Sequence, residues 1–108
     1  MKCKEVPMTD FMLEMSGKAE GAAEFLSGLA SPHRLLILCL LAAGEKSVGT
    51  LVEETGIGQT SMSQHLAKLK KEGLVDFRRD HRTLYYFISD PAALEIMEIL
   101  YNRFCRKV

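Results

Sequence analysis

What this sequence lacks narrows its function first. No apolar run approaches the roughly 18 to 20 residues that cross a bilayer. The longest run, Leu35 to Ala43, is short and lies mid-chain. Neither a spanning helix nor a secretory signal is therefore expected, and the chain reads as cytoplasmic with no membrane partner. Cysteine is scarce and poorly spaced for structural use. Cys3, Cys39 and Cys105 contain no Cys-x-x-Cys pair, which excludes a secreted disulfide framework and a zinc finger. In a reducing cytoplasm such thiols stay free, and any disulfide is a regulatory event. Internal repeats and low-complexity stretches are missing too. The 108 residues suit one domain, 1–108, and a hydrophobic share of 47% suffices to pack it.

Net charge is also absent, since 14 Lys and Arg balance 14 Asp and Glu. Its distribution is uneven. Residues 1–58 carry five basic and eight acidic side chains, a balance of −3, while residues 59–82 carry six basic and three acidic, a balance of +3. A neutral protein with one basic segment can lay that segment on phosphate.

Punctuation residues divide the chain. Thr9 can cap a first helix over about 9–28, with Met12, Met15, Ala19, Ala22, Ala23 and Leu26 at helical spacing. Gly17, Gly21 and Gly28 weaken it, so tertiary or dimer contacts must support it. Ser31-Pro32 is a helix start and Gly44 a stop. Ser47 can cap a short third helix ending near Thr55-Gly56. A fourth runs from Gln59 to Glu72, closed by Gly73, with Met62, Leu66 and Leu69 as its buried stripe. The period then changes. Leu74 to Arg79 alternates, Thr83 to Ile88 is rich in strand formers, and Asp80-His81-Arg82 joins them as a hairpin. Asp90-Pro91 opens a last helix to about Cys105, striped by Leu94, Met97, Tyr101 and Phe104. The expected fold is mainly α with a two-stranded β-hairpin, in the order α-α-α-α-β-β-α.

Two short helices across a glycine turn, the second polar on one face, form a helix-turn-helix, here about 47–72. A hairpin over about 74–88 that follows it is a wing. The second helix must bury one stripe to hold its angle and offer short polar side chains to base edges. Gln59 opens it; Thr60, Ser61 and Ser63 suit bases or phosphates, and Gln64 suits adenine. His65 and Lys68 lie one turn on, where phosphate contacts are expected, and Arg78, Arg79 and Arg82 lie near the wing tip. The competing reading is a helical bundle with an incidental hairpin. A thiol enzyme would need a base and an oxyanion site. His33 is near Cys39 in sequence, but no glycine-rich anion site accompanies His33, His65 or His81. The expectation is no enzyme, no catalytic residue and no cofactor.

The segments Ala30-Ser31-Pro32-His33-Arg34-Leu35-Leu36-Ile37-Leu38, Ser47-Val48-Gly49-Thr50-Leu51 and Gln59 through Val75 resemble the winged-helix arsenic-repressor (ArsR/SmtB) family. The resemblance covers roughly residues 10–105, and Ser63-Gln64-His65-Leu66 with Gly73-Leu74-Val75 is its most distinctive combination. It implies a homodimeric repressor of duplex DNA whose first and last helices, about 9–28 and 91–105, build the dimer. Two fourth helices would then enter successive major grooves over an inverted repeat, about 34 Å apart.

Metal-sensing members carry Cys-x-Cys on the second helix or acidic and histidine ligands on the last. Here the second helix reads Leu38-Cys39-Leu40-Leu41, and the last holds Asp90, Glu95 and Glu98 without histidine. Soft metals want several converging thiolates or imidazoles, so no metal ligand set is assigned. Cys3 remains able to join Cys39, which keeps a metal- or metalloid-responsive repressor, or a general thiol-redox regulator, as the alternative. The sequence is more similar to the persulfide-sensing SqrR/BigR (HlyU-like) subgroup, through Ile37 to Leu41 and Leu100 to Cys105. That resemblance implies Cys39 and Cys105 as sensing thiols, linked through added sulfur by a persulfide or polysulfide inducer. The apolar run around Cys39 leads to the expectation of a small, dry environment for that thiol.

Overall fold

The computed structural model describes residues 8–105, and Cys3 lies outside that range. Six helices and a small sheet follow in order: α1 (Met8–Ser16), α2 (Ala19–Leu29), α3 (Pro32–Ala42), β1 (Lys46–Ser47), α4 (Val48–Thr55), α5 (Gln59–Lys71), β2 (Val75–Asp80), β3 (Thr83–Ile88) and α6 (Pro91–Phe104). The mainly helical winged helix-turn-helix is as expected, with two refinements. The expected first helix is two. At its break Ser16 donates its hydroxyl to the Leu13 carbonyl at 2.9 Å, and the Lys18 N–H bonds Met15 after only three residues, so the chain tightens at Gly17 and restarts. The expected two-stranded hairpin is the larger part of a three-stranded antiparallel sheet, ordered β1-β3-β2. Lys46 faces Tyr86 and Ser47 faces Tyr85.

Local chemistry accounts for the element ends. Ser31 caps α3 with Pro32 at its first position, and Asp90 caps α6 by accepting the Ala92 N–H at 2.9 Å, followed by Pro91. Ser47 accepts the Thr50 N–H at 3.1 Å and starts α4. Helix α5 ends on Gly73 at φ 82°, with Leu74 N–H bonding Leu69 and Gly73 N–H bonding Lys70, both at 3.0 Å. This is the Schellman pattern, and it turns Leu74 straight into the core.

The core joins one face of each of α3, α4, α5 and α6 to the inner face of the sheet. Ile37, Leu38, Leu51, Met62, Leu66, Leu69, Leu74 and Val75 are its fully buried members, and no polar or charged residue among the described residues is buried with them. The α6 stripe divides. Met97 enters this core with Ala93, whereas Leu94, Tyr101 and Phe104 face outward.

Candidate nucleic-acid interface

The turn between α4 and α5 fixes how α5 is presented. Gly56 adopts φ 76°, and its N–H closes α4 on Val52 at 2.9 Å. Thr55 donates its hydroxyl to Leu51 and accepts the Ile57 N–H at 3.1 Å, which drives Ile57 into the core. With Ile57 and the Met62–Leu66–Leu69 stripe anchored, the opposite side of α5 faces outward. Gln59, Thr60, Ser63, Gln64 and Lys68 are exposed on it, while Ser61 and His65 are half-buried at its edge.

His65 is drawn inward by a contact that the sequence did not suggest. Its ring meets His33 of α3 edge-on, with centroids 5.4 Å apart. Burial, then the nearby Arg34 guanidinium, then His33 hold its pKa below the usual histidine value. Arg34 itself donates from Nη1 to the Gly28 carbonyl at 3.3 Å, and its Nε is buried without a hydrogen-bond partner among the described residues. A lone His33-Arg34 pair after a capped proline carries no signal for this contact, because it spans two helices.

The wing arginines have different environments. Arg79 and Arg82 are exposed and join no ion pair among the described residues. Arg78 instead donates from Nε to both carboxylate oxygens of Glu45, at 2.9 and 3.1 Å, and lies over the Tyr85 ring at 4.7 Å. Lys70 is likewise engaged at the wing base, 3.6 Å from Asp76 and over the Phe77 ring. Of the six basic residues counted in 59–82, Lys68, Lys71, Arg79 and Arg82 therefore keep their charge outside any ion pair within the described residues. At the tip His81 takes φ 60°, turning the chain in two residues between Asp80 and Thr83.

The thiols lie at the other end of α3. Cys39 is exposed, which corrects the expectation of a dry, enclosed thiol. Beyond His33 and Arg34 the rest of α3 is apolar all round, so the sequence there marks no inner face. Ile37, Leu38 and Leu41 take the core, and Cys39 projects away from it. There it lines a cavity of about 400 Å³ with Ala42, Ala43, Leu94, Met97, Glu98 and Tyr101. Cys105 is exposed and caps α6, its N–H bonding Tyr101 at 2.9 Å, one turn beyond the cavity wall. No three of His, Cys, Asp and Glu converge on a metal-sized point among the described residues.

Residues 31–76, from the α3 cap into β2, match the family model of bacterial regulatory proteins of the arsR family. The nodulation protein NolR of Rhizobium meliloti is 49% identical over 82 residues, covering 76% of this chain and 67% of that protein. A biofilm growth-associated repressor of Xylella fastidiosa is 37% identical over 92 residues, covering 85% and 81%. Reduced HlyU from Vibrio cholerae superposes with a TM-score of 0.82 at 35% identity, over 86% of this chain and 98% of that one. A homodimeric winged helix-turn-helix DNA-binding domain, Mb0332 of Mycobacterium bovis, superposes with a TM-score of 0.70 at 29% identity, over 85% and 88%. With a polar helix face beside a basic wing on this scaffold, the chain belongs to the ArsR family of DNA-binding transcriptional regulators, and its relatives are regulators rather than enzymes.

Proposed function

We infer that the protein is a cytoplasmic homodimeric repressor that holds an inverted-repeat operator and releases it when reactive sulfur links Cys39 to Cys105. Regulation through DNA belongs to the family; the direction, the contacts and the signal are inferred from this chain and its neighbours. The observation that carries the DNA contacts is the exposed row Gln59, Thr60, Ser63, Gln64 and Lys68 beside Arg79 and Arg82. Short polar groups suit base edges, and the cations suit flanking phosphates. Ser61 and His65 border that row. Repression follows the Xylella relative, and a dimer follows Mb0332 and the outward apolar faces of α1, α2 and α6.

The cavity between α3 and α6 supports the thiol switch. Cys39 and Tyr101 line it together, and Cys105 follows Tyr101 by four residues, about one turn of roughly 5.4 Å. A bridge longer than a disulfide suits two thiols on separate helices, because a disulfide needs Cβ atoms about 3.5 to 4.5 Å apart. The chemistry balances without a further oxidant. Each thiolate attacks the outer sulfur of a donor persulfide, gains that sulfur and releases the donor thiol. The outer sulfur of one cysteine persulfide then attacks the inner sulfur of the other, hydrosulfide leaves, and Cys–S–S–S–Cys remains. Such a link ties α6 to α3 and shifts an element of the dimer face. That shift changes the spacing of two reading helices that must meet many phosphates at once.

Fluorescence anisotropy on duplex DNA from the gene's own upstream region tests this reading. Reduced protein should bind, glutathione persulfide should abolish binding, and reductant should restore it. Cys39→Ser and Cys105→Ser should each bind DNA normally and ignore persulfide. Persulfide sensitivity retained in both variants would discard the pair. Operator binding that responds to a metal ion or arsenical instead would turn attention to Cys3.

A further inference from the structure

Glu45 lies in the short link between α3 and β1, after Gly44 at φ 146°. Its carboxylate is gripped by Arg78 of β2 in a two-pronged contact, through Nε at 2.9 and 3.1 Å and through Nη2. The guanidinium also covers the ring of Tyr85. Tyr85 is the cross-strand partner of Arg78 on one side and of Ser47 on the other. One contact thus ties the link between α3 and β1 to both strands of the wing. The pairing holds the Glu45 carboxyl below its usual range and the Arg78 guanidinium above its own.

An exposed ion pair contributes little to global stability. Its value here is directional. A hairpin that projects from a domain can rock about its base, and a planar two-pronged contact stacked on an aromatic ring fixes that angle as a single hydrogen bond does not.

We propose that Glu45 and Arg78 form a positioning strut for the wing, so that Arg78 serves the sheet while Arg79 and Arg82 meet the DNA backbone. This rests on the wing reading above and adds a division of labour among its arginines. It also gives an acidic residue a constructive part in binding a polyanion. Plain electrostatics has Glu45 opposing DNA, so its neutralisation should tighten binding; the strut requires that it weaken binding.

Operator affinity as a function of salt, combined with amide relaxation of the hairpin in DNA-free protein, separates these outcomes. Arg79→Ala and Arg82→Ala should each lower the salt slope by about 1. Glu45→Gln should weaken binding about three- to tenfold at fixed salt, the scale of ordering one mobile contact. In the same variant the order parameters of residues 79–83 should fall. The exchange Glu45→Arg with Arg78→Glu should restore both readouts in part, since it re-forms the two-pronged contact without the guanidinium over Tyr85. Equal or tighter binding by Glu45→Gln, or hairpin order equal to the parent's, would overturn the strut. Salt slopes unmoved by both Arg79→Ala and Arg82→Ala would instead remove the wing from the DNA, which is the failure of the underlying reading.

Discussion

His65 stands at the edge of the exposed face of α5 with its ring against His33 and its proton affinity lowered by burial, Arg34 and His33 in that order. The sign of its effect on stability follows from which state takes the proton first. As pH falls below the ordinary value of 6.5, the unfolded chain binds that proton while the folded one still resists it. Stability contributed by neutral His65 is therefore present above that value and lost as pH drops toward the lower folded pKa. Urea unfolding between about pH 7.5 and 5.5 should show this decline, and His65→Gln should flatten it. Gly28 is a second residue with a single physical reason for its identity. A Cβ there would collide with the Glu72 carboxylate and sit 3.2 Å from Leu74 Cδ1. Glu72 can swing aside, but Leu74 is fixed by the Schellman turn and the core. Gly28→Ala should thus cost about 1 kcal/mol net, overpacking against Leu74 outweighing the roughly 1 kcal/mol that alanine gains over glycine in a helix, read as a lower urea midpoint with an unchanged slope. Neither role was legible in the sequence, where Gly28 reads as a weak point in a helix and His65 as a surface polar group. Both depend on what a second helix brings near.

Among the elements, α5 was the most legible and β1 the least. Gln59, Gly73 and the Met62–Leu66–Leu69 spacing bound α5 and set its inner stripe before any tertiary contact is known, because a helix face is a property of period alone. β1 has two residues, too few for any alternation to register, and exists because Lys46 and Ser47 find Tyr86 and Tyr85 with two helices and a strand between them in sequence. The break between α1 and α2 fell between these cases. Gly17 marked a weak point, but the competing bonds of Ser16 and Lys18 decide that the helix ends there. Cys39 shows the limit of pattern most clearly, since the apolar run from Leu35 to Ala43 points nowhere until its neighbours are placed. The outward face of α5 is fixed by its buried stripe, and the contacts proposed for it separate by residue. Lys68→Ala should weaken binding to operator and unrelated duplex alike and lower the salt slope by about 1, as a phosphate contact does. Gln64→Ala should spare unrelated duplex and lose about 1–3 kcal/mol of discrimination at one base pair of each half-site. Competition titrations with single-base operator variants distinguish the two.

At the scale of the whole molecule, the core and the outward apolar surface divide cleanly. Helices α3, α4 and α5 spend most of their apolar side chains on one core, whereas α1 leaves Met12, Leu13 and Met15 outside and α6 leaves Leu94, Ile99, Tyr101 and Phe104 outside. Leu13 and Phe104 are 70% and 73% exposed. In the proposed dimer these outward apolar side chains of α1 and α6 form the surface between protomers, and an isologous arrangement covers the same residues on both copies. The consequence is separable from folding, because neither Leu13 nor Phe104 belongs to the core cluster. The double substitution Leu13→Asp with Phe104→Asp should shift sedimentation to the monomer while helix content is retained, and its urea midpoint, unlike the parent's, should no longer rise with protein concentration. Such a monomer keeps every side chain of the reading helix and the wing, yet it holds one half-site at a time. Operator affinity should therefore collapse toward that for a lone half-site, since the second contact no longer occurs at the high effective concentration the dimer provides. If the thiol link acts by moving α6, persulfide should no longer change the remaining half-site affinity of this variant, even though Cys39 and Cys105 are both present. Persulfide sensitivity surviving in the monomer would place the switch within one protomer, between α3 and its own reading helix, rather than at the interface between two.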